Sequence, residues 1–230
     1  MKLKRFISIA TATILTAISL TACTSQDKAA VTETANTFMA IVASQSDEDI
    51  NKYATSEVAN GDFVKLFDAD SLVDIFVTES TAAELSDEAK AEVDEFCKLF
   101  AGMIKSYSVS SATINKDGTA TAIATIKTAF PIDIINSEES SAKIDAAIEE
   151  YNETNAEAIT ALYEEGDEVA TAKIYNDMLT LILDIYEDEI ANSEEMTYAI
   201  ALDLEKNSET DTWIVTQITD YDTSASSSGK

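Results

Sequence analysis

Any chemistry in this chain has to be done without an imidazole. Its 230 residues include no histidine, two cysteines (Cys23 and Cys97), and 43 acidic side chains against 15 basic ones. The missing histidine excludes Ser–His–Asp and Cys–His nucleophilic machinery. It also removes histidine-ligated zinc, copper and haem, and one spare thiol does not build a thiolate cage. No GxxxxGK[ST] or GxGxxG segment occurs, and five glycines leave little for phosphate-cradling loops. What remains is carboxylate acid–base work, a Lys, Ser or Tyr mechanism, or an oxygen-ligated metal.

Two carboxylates have the flanks that a buried general base needs. Asp133 lies between Ile132 and Ile134, and Asp203 between Leu202 and Leu204, both at expected strand ends. Apolar surroundings raise a carboxyl pKa toward the range of a working base. Strand alternation, however, turns apolar neighbours to the opposite face, so outward-facing acids are the favoured reading of both. Asp68, Asp70 and Asp74 have a spacing like that of a calcium loop. They lack the glycine at the sixth position and the bidentate glutamate at the twelfth. Helix-surface carboxylates explain them more simply. The run Glu164-Glu165-Gly166-Asp167-Glu168 reads as a polar loop with a cap, and no metal ligand is assigned. Cys97 shares a helical face with Val93, Phe96, Phe100, Met103 and Ile104. That makes it a small buried hydrophobe.

The other cysteine has a different setting. Lys2, Lys4 and Arg5 precede an uncharged run from Phe6 to Leu20, then Leu20-Thr21-Ala22-Cys23. A basic start, a short apolar core and small residues at the cut are the marks of an export signal. The run is too short and too rich in Thr and Ser for a stable span of about 20 apolar residues. Leu20, Thr21, Ala22 and Cys23 resemble the bacterial lipobox. The resemblance implies cleavage between Ala22 and Cys23 and a covalent diacylglycerol on the Cys23 thiol. It implies no other cofactor. The implied location is the cell membrane, lipid-anchored, on the extracytoplasmic side. Stable anchoring generally takes two acyl chains, which such a cysteine carries.

Loss of the leader leaves 12 basic residues against 43 acidic ones, a mature charge of −31. That excess repels nucleic acid and anionic headgroups, so no nucleic acid partner is expected. With Cys23 acylated, Cys97 has no disulfide partner, and a packed core has to supply the stability.

The periodicities give the expected layout. Residues 1–22 form the signal peptide, 23–28 the lipidated cysteine and a polar tether, and 29–222 one α+β domain. Amphipathic helices are expected at 29–44, 63–77 and 87–106, the last capped by Ser86. A capping signal at Ser46 and Asp49 introduces a short helical step. Alternation predicts one hairpin over 107–130, turning at Asn115–Gly118, and another over 196–219, turning within Asn207–Asp211. Two acidic helices, 138–164 and 167–191, form a hairpin at Gly166. Residues 223–230 read as a disordered tail. The fold class is a curved antiparallel sheet packed against N-terminal helices, with a helical hairpin inserted at about 138–191.

The segment ETANTFMAIVASQSDEDINKYAT, with its S-x-x-D-I-x-K-Y step, and the closing D-T-W-I-V-T-Q-I resemble the nuclear-transport-factor-2-like, cystatin-like superfamily. The resemblance covers 29–60, 100–130 and 195–220, and the helical pair at 138–191 departs from it. It implies a sheet wrapped around a long first helix. It also implies mixed functions, including isomerases that use a carboxylate base, so fold alone does not give activity. The favoured expectation is a non-catalytic domain that binds an unidentified protein or small molecule at the membrane. The alternatives are a carboxylate-base enzyme and a weak divalent-cation binder.

Overall fold

The computed structural model describes residues 25–44, 48–79, 85–110 and 112–221, the side chains of 75–79 excepted. The leader at 1–22, Cys23 and the tail at 223–230 lie outside the described residues. Helices and one antiparallel sheet make the chain α+β. It divides into two compact units. A sheet unit takes the chain up to Phe67, Ile104–Thr128 and Met196 onward; a helical unit takes Asp68–Met103 and Ala129–Glu195. The second unit is therefore wider than the hairpin expected at 138–191.

In the sheet unit, α1 (Ser25–Ser44) carries Val31, Ala35, Phe38, Met39 and Val42 at three- and four-residue intervals, all buried. Such a stripe is what an amphipathic helix needs in order to pack. Residues 25–28, expected as part of a polar tether, belong to helix α1. Asp27 in the first turn suits the positive end of the helix dipole. Its carboxylate lies 3.3 Å from Lys206 Nζ, which ties the turn to the sheet. Short helices α2 (Ser56–Ala59) and α3 (Asp62–Lys65) follow.

Among the described residues five strands complete the unit: β1 (Ile104–Val109), β2 (Thr113–Ile114), β3 (Ala120–Thr128), β4 (Met196–Lys206) and β5 (Trp213–Asp220). Their order is β1-β3-β4-β5, all antiparallel, with β2 also paired to β3. Ala120, Ala122, Ala124 and Ile126 are wholly buried on one face of β3. Three alanines in a row let α1 lie close to the sheet. Tyr107, opposite Ile126, reaches α1 from that face and donates to the Asn36 carbonyl at 3.5 Å. Both hairpins expected from alternation are present. Strand β1 begins at Ile104, because α5 (below) stops at Ala101 rather than at 106.

One register change lies in the β4–β5 pair. Glu205 pairs with Ile214 but Leu202 pairs with Ile218, with an irregularity between Asp203 and Leu204. The extra residue on β5 reverses side-chain parity. Trp213 and Val215 are buried opposite Lys206 and Leu204, whereas Ile214 turns outward. The Ile214–Ile218 alternation does not lie on one face.

The helical unit contains α4 (Ala69–Glu79), α5 (Asp87–Ala101), α6 (Glu138–Thr154), α7 (Ala156–Glu165) and α8 (Asp167–Asn192). Helix α8 packs against α5, α6 and α7, and α4 packs against α5. Phe100 meets Phe130 at 5.6 Å and Phe96 meets Tyr186 at 5.9 Å between ring centres. The Ser86 hydroxyl accepts from Ala89 N at 3.1 Å, the expected cap. Two helices expected as continuous are broken. Asp68 accepts from Ser71 N at 2.6 Å and starts α4 afresh, since aspartate is better as a cap than mid-helix. Asn155 splits the 138–164 stretch. Its side-chain amide donates to the Tyr151 carbonyl at 2.9 Å, local bonding that competes with helix continuation. Gly166, at φ +145°, then makes the turn into α8 where it was expected.

Candidate functional site

An open groove of about 580 Å³ lies beside the β4–β5 turn of the sheet unit. Three segments build it. Asp49 accepts from Asn51 N at 3.1 Å and so starts the 3-10 turn Ile50–Lys52. The Asn51 side chain and backbone bonds, together with nearby Lys52, hold the Asp49 carboxyl below its usual range. Residues 53–55 then run along the outer edge of β5. Val215 N donates to Tyr53 O at 2.8 Å and Thr55 N to Val215 O at 2.9 Å, with Ala54 bridging Val215 in parallel. Thr55 next caps α2 by accepting from Val58 N at 3.3 Å.

The β4–β5 turn forms the opposite wall. Asn207 N donates to Thr212 O and Asp211 N to Asn207 O, each at 2.8 Å. Asp211 takes φ 57°, a left-handed value that aspartate tolerates better than most residues. The Asn207 side chain accepts from Glu209 N at 2.9 Å. Thr210 and Thr212 share one bond between their hydroxyls at 2.7 Å, which leaves one of the two protons to point elsewhere. Outward-turned Ile214 supplies an apolar patch.

Among the described residues the lining is Asn51, Lys52, Ala54, Thr55, Ser56, Asn207, Thr210, Thr212 and Ile214, rich in amides and hydroxyls with one lysine. Such a lining can hydrogen-bond a polar or anionic group. A larger, shallower hollow of about 800 Å³ lies along α1. There Thr32, Asn36 and Thr37 donate to carbonyls one turn back in their own helix. The two threonine protons are thereby used, and Glu33 in the lining opposes an anionic group, so the smaller groove is the better match to one.

The structure distributes the residues expected from sequence. Asp133 is exposed beside the 3-10 turn Ile134–Asn136 in the helical unit. Asp203 is half-buried on the outer sheet face and accepts from Thr121 Oγ1 at 2.7 Å. Neither sits in an apolar pocket, and the two are in different units. Asp68 caps α4, and Asp70 and Asp74 are exposed. Among the described residues no three acids or thiols are grouped to hold a metal ion. Glu164, Glu165, Asp167 and Glu168 are exposed around Gly166. Cys97 is wholly buried, and burial, with Asp94 adding, pushes its thiol up to about 12. The Tyr151 phenol is also raised to about 12, by burial and then by its bond to Asp177, so it is a donor at neutral pH. Leu20, Thr21, Ala22 and Cys23 lie outside the described residues, as does Ser46.

Sequence reading missed the groove. Asp49 was visible as a cap and Asn207–Asp211 as a turn, but nothing local marks residues 53–55 as neighbours of β5.

No described helix is long and apolar enough to cross a membrane. No protein-family model and no curated protein matches the chain. Among solved structures it is similar to a putative lipoprotein (ycdA) from Bacillus subtilis, at 17% identity and a TM-score of 0.41. The likeness covers 83% of this chain and 53% of that one, so the chain spans about half the length of that protein. A match of that depth bears on neither family nor activity.

Proposed function

We propose that the chain is an exported lipoprotein, held on the extracytoplasmic side of the cell membrane by diacylglycerol on Cys23, whose folded part binds a partner and does no catalysis. The observation that carries the anchor is the order basic start, apolar run, Leu20-Thr21-Ala22-Cys23.

Binding is favoured over catalysis by the groove's lining of amides, hydroxyls and one lysine, and by the placement of Asp133 and Asp203 outside apolar pockets. The α1-against-sheet arrangement favours the cystatin-like resemblance, within the sheet unit alone. The partner is a protein or small molecule with polar or anionic groups. A mature charge of −31 disfavours nucleic acid.

Mass spectrometry of the membrane fraction tests the anchor. The full chain, made in a bacterium that processes lipoproteins, should yield a mature form starting at an acylated Cys23. Cys23→Ser should be unacylated and absent from the membrane. An intact leader on the wild-type chain, or a free Cys23 thiol, rejects the reading.

A further inference from the structure

We infer that the β4–β5 turn is the membrane-facing pole of the sheet unit, and that the adjoining groove opens into the lipid headgroup layer. The inference rests on acylation of Cys23. Two peptide steps separate Cys23 from Ser25, a reach of at most about 7 Å. The first turn of α1 therefore cannot leave the headgroup region. Which part of the unit goes with it is fixed by two further observations.

Lys206, the last residue of β4, holds Asp27 of that first turn at 3.3 Å and Asp211 of the β4–β5 turn at 3.6 Å. The start of α1 and the β4–β5 turn are thus at one end of the sheet. The second observation is independent of that ion pair. Ala112 N, just before β2, donates to Thr32 Oγ1 at 3.2 Å, and β2 joins the same end, with Ile114 opposite Ala120 and Ala120 opposite Leu204. The Asn115–Gly118 turn is therefore at that pole as well. Farther along α1, Asn36 meets Tyr107, whose row runs through Ile126 to Tyr198, nearer the start of β4. Helix and strand are thus matched along their lengths. Asp27, Asp117, Glu209 and Asp211 offset Lys52, Lys116 and Lys206 at this pole, so the tether and not a cationic patch holds it down. The occupant facing the groove is the phospholipid headgroup, which narrows the polar small molecule proposed above to a lipid.

Trp213 makes this measurable, because it is the only tryptophan of the chain and stands opposite Lys206. Met196 begins β4 at the other end, about 33 Å from Lys206 at strand rise, and is 42% exposed. Resonance energy transfer would be read from tryptophan to dansyl-labelled headgroups in phosphatidylcholine vesicles carrying the processed full chain. The wild type should transfer at least about threefold more efficiently than Trp213→Phe/Met196→Trp, given that separation. Trp213→Phe/Tyr221→Trp is a second far-end variant, since Tyr221 N bonds Ala199 O beyond the end of β5. Equal or stronger transfer from the far-end tryptophans, on protein that floats with the vesicles, overturns the orientation and leaves the anchor standing. Failure to float, with an unmodified Cys23 by mass, removes both, and shows in a different readout.

Discussion

The wholly buried Ser140 hydroxyl bonds Glu189, a carboxylate on α8, across from the first turn of α6. The same oxygen lies 2.7 Å from the Ile134 carbonyl and 2.6 Å from Ser137 Oγ. The other oxygen of Glu189 has no well-formed hydrogen bond but lies 3.1 Å from Lys143 Nζ, so charge pairing offsets its burial. The Glu189 side chain is only 8% exposed. This small polar cluster pins α6 and α8 together. Ser140→Ala should cost about 1–3 kcal/mol, the usual consequence of orphaning a buried acceptor. Urea denaturation followed by circular dichroism measures it. A change within error would mean that water replaces the hydroxyl.

Glu187 supplies a pH signature. Burial, then the charges of Asp184, Glu95 and Glu92, raise its carboxyl above the ordinary 4.5. Its ionised form is thus disfavoured by folding, and the destabilisation is present at neutral pH. It is relieved as pH falls through the raised value. Glu187→Gln should therefore raise the melting temperature at pH 7, and the gain should be gone below 4.5. A gain independent of pH would assign the effect to something other than charge.

Cys97 should be inert. A thiol raised to about 12 and wholly buried holds almost no thiolate at pH 8. Iodoacetamide should leave it unmodified in native protein and alkylate it in urea. Rapid native labelling would show that α5 opens locally.

Gly166 adopts φ +145°, and a Cβ there would meet nothing within 4 Å. The cost of Gly166→Ala is therefore conformational, about 1–3 kcal/mol. Phe38→Ala, in the core of the sheet unit, should cost about 3–5 kcal/mol through loss of burial and the cavity left behind. Following each variant with a probe in its own unit shows whether the units melt together.

Periodic segments were legible in the sequence. The strands at 196–206 and 213–220 show in their alternation, and α1 in its Val31–Ala35–Phe38–Val42 stripe. What was lost sits where local and distant forces compete. Met103 and Ile104 continue the helical face of Val93–Phe100, so α5 looked longer than it is; its C-cap Gly102 was the overlooked stop. Asn155 carries no strong breaker signal, since its effect comes from one side-chain bond. The β5 irregularity and the contact of residues 53–55 with Val215 join distant segments, and the groove depends on both. The groove was illegible for that reason.

The strand-like pass of residues 53–55 along β5 has one more consequence. A sheet border with free amides invites a neighbouring copy to dock and extend it, and hence polymerisation. Val215 at that border already has its amide and carbonyl occupied by the chain's own Tyr53 and Thr55. This intramolecular plug leaves that stretch of β5 closed to a strand from another molecule.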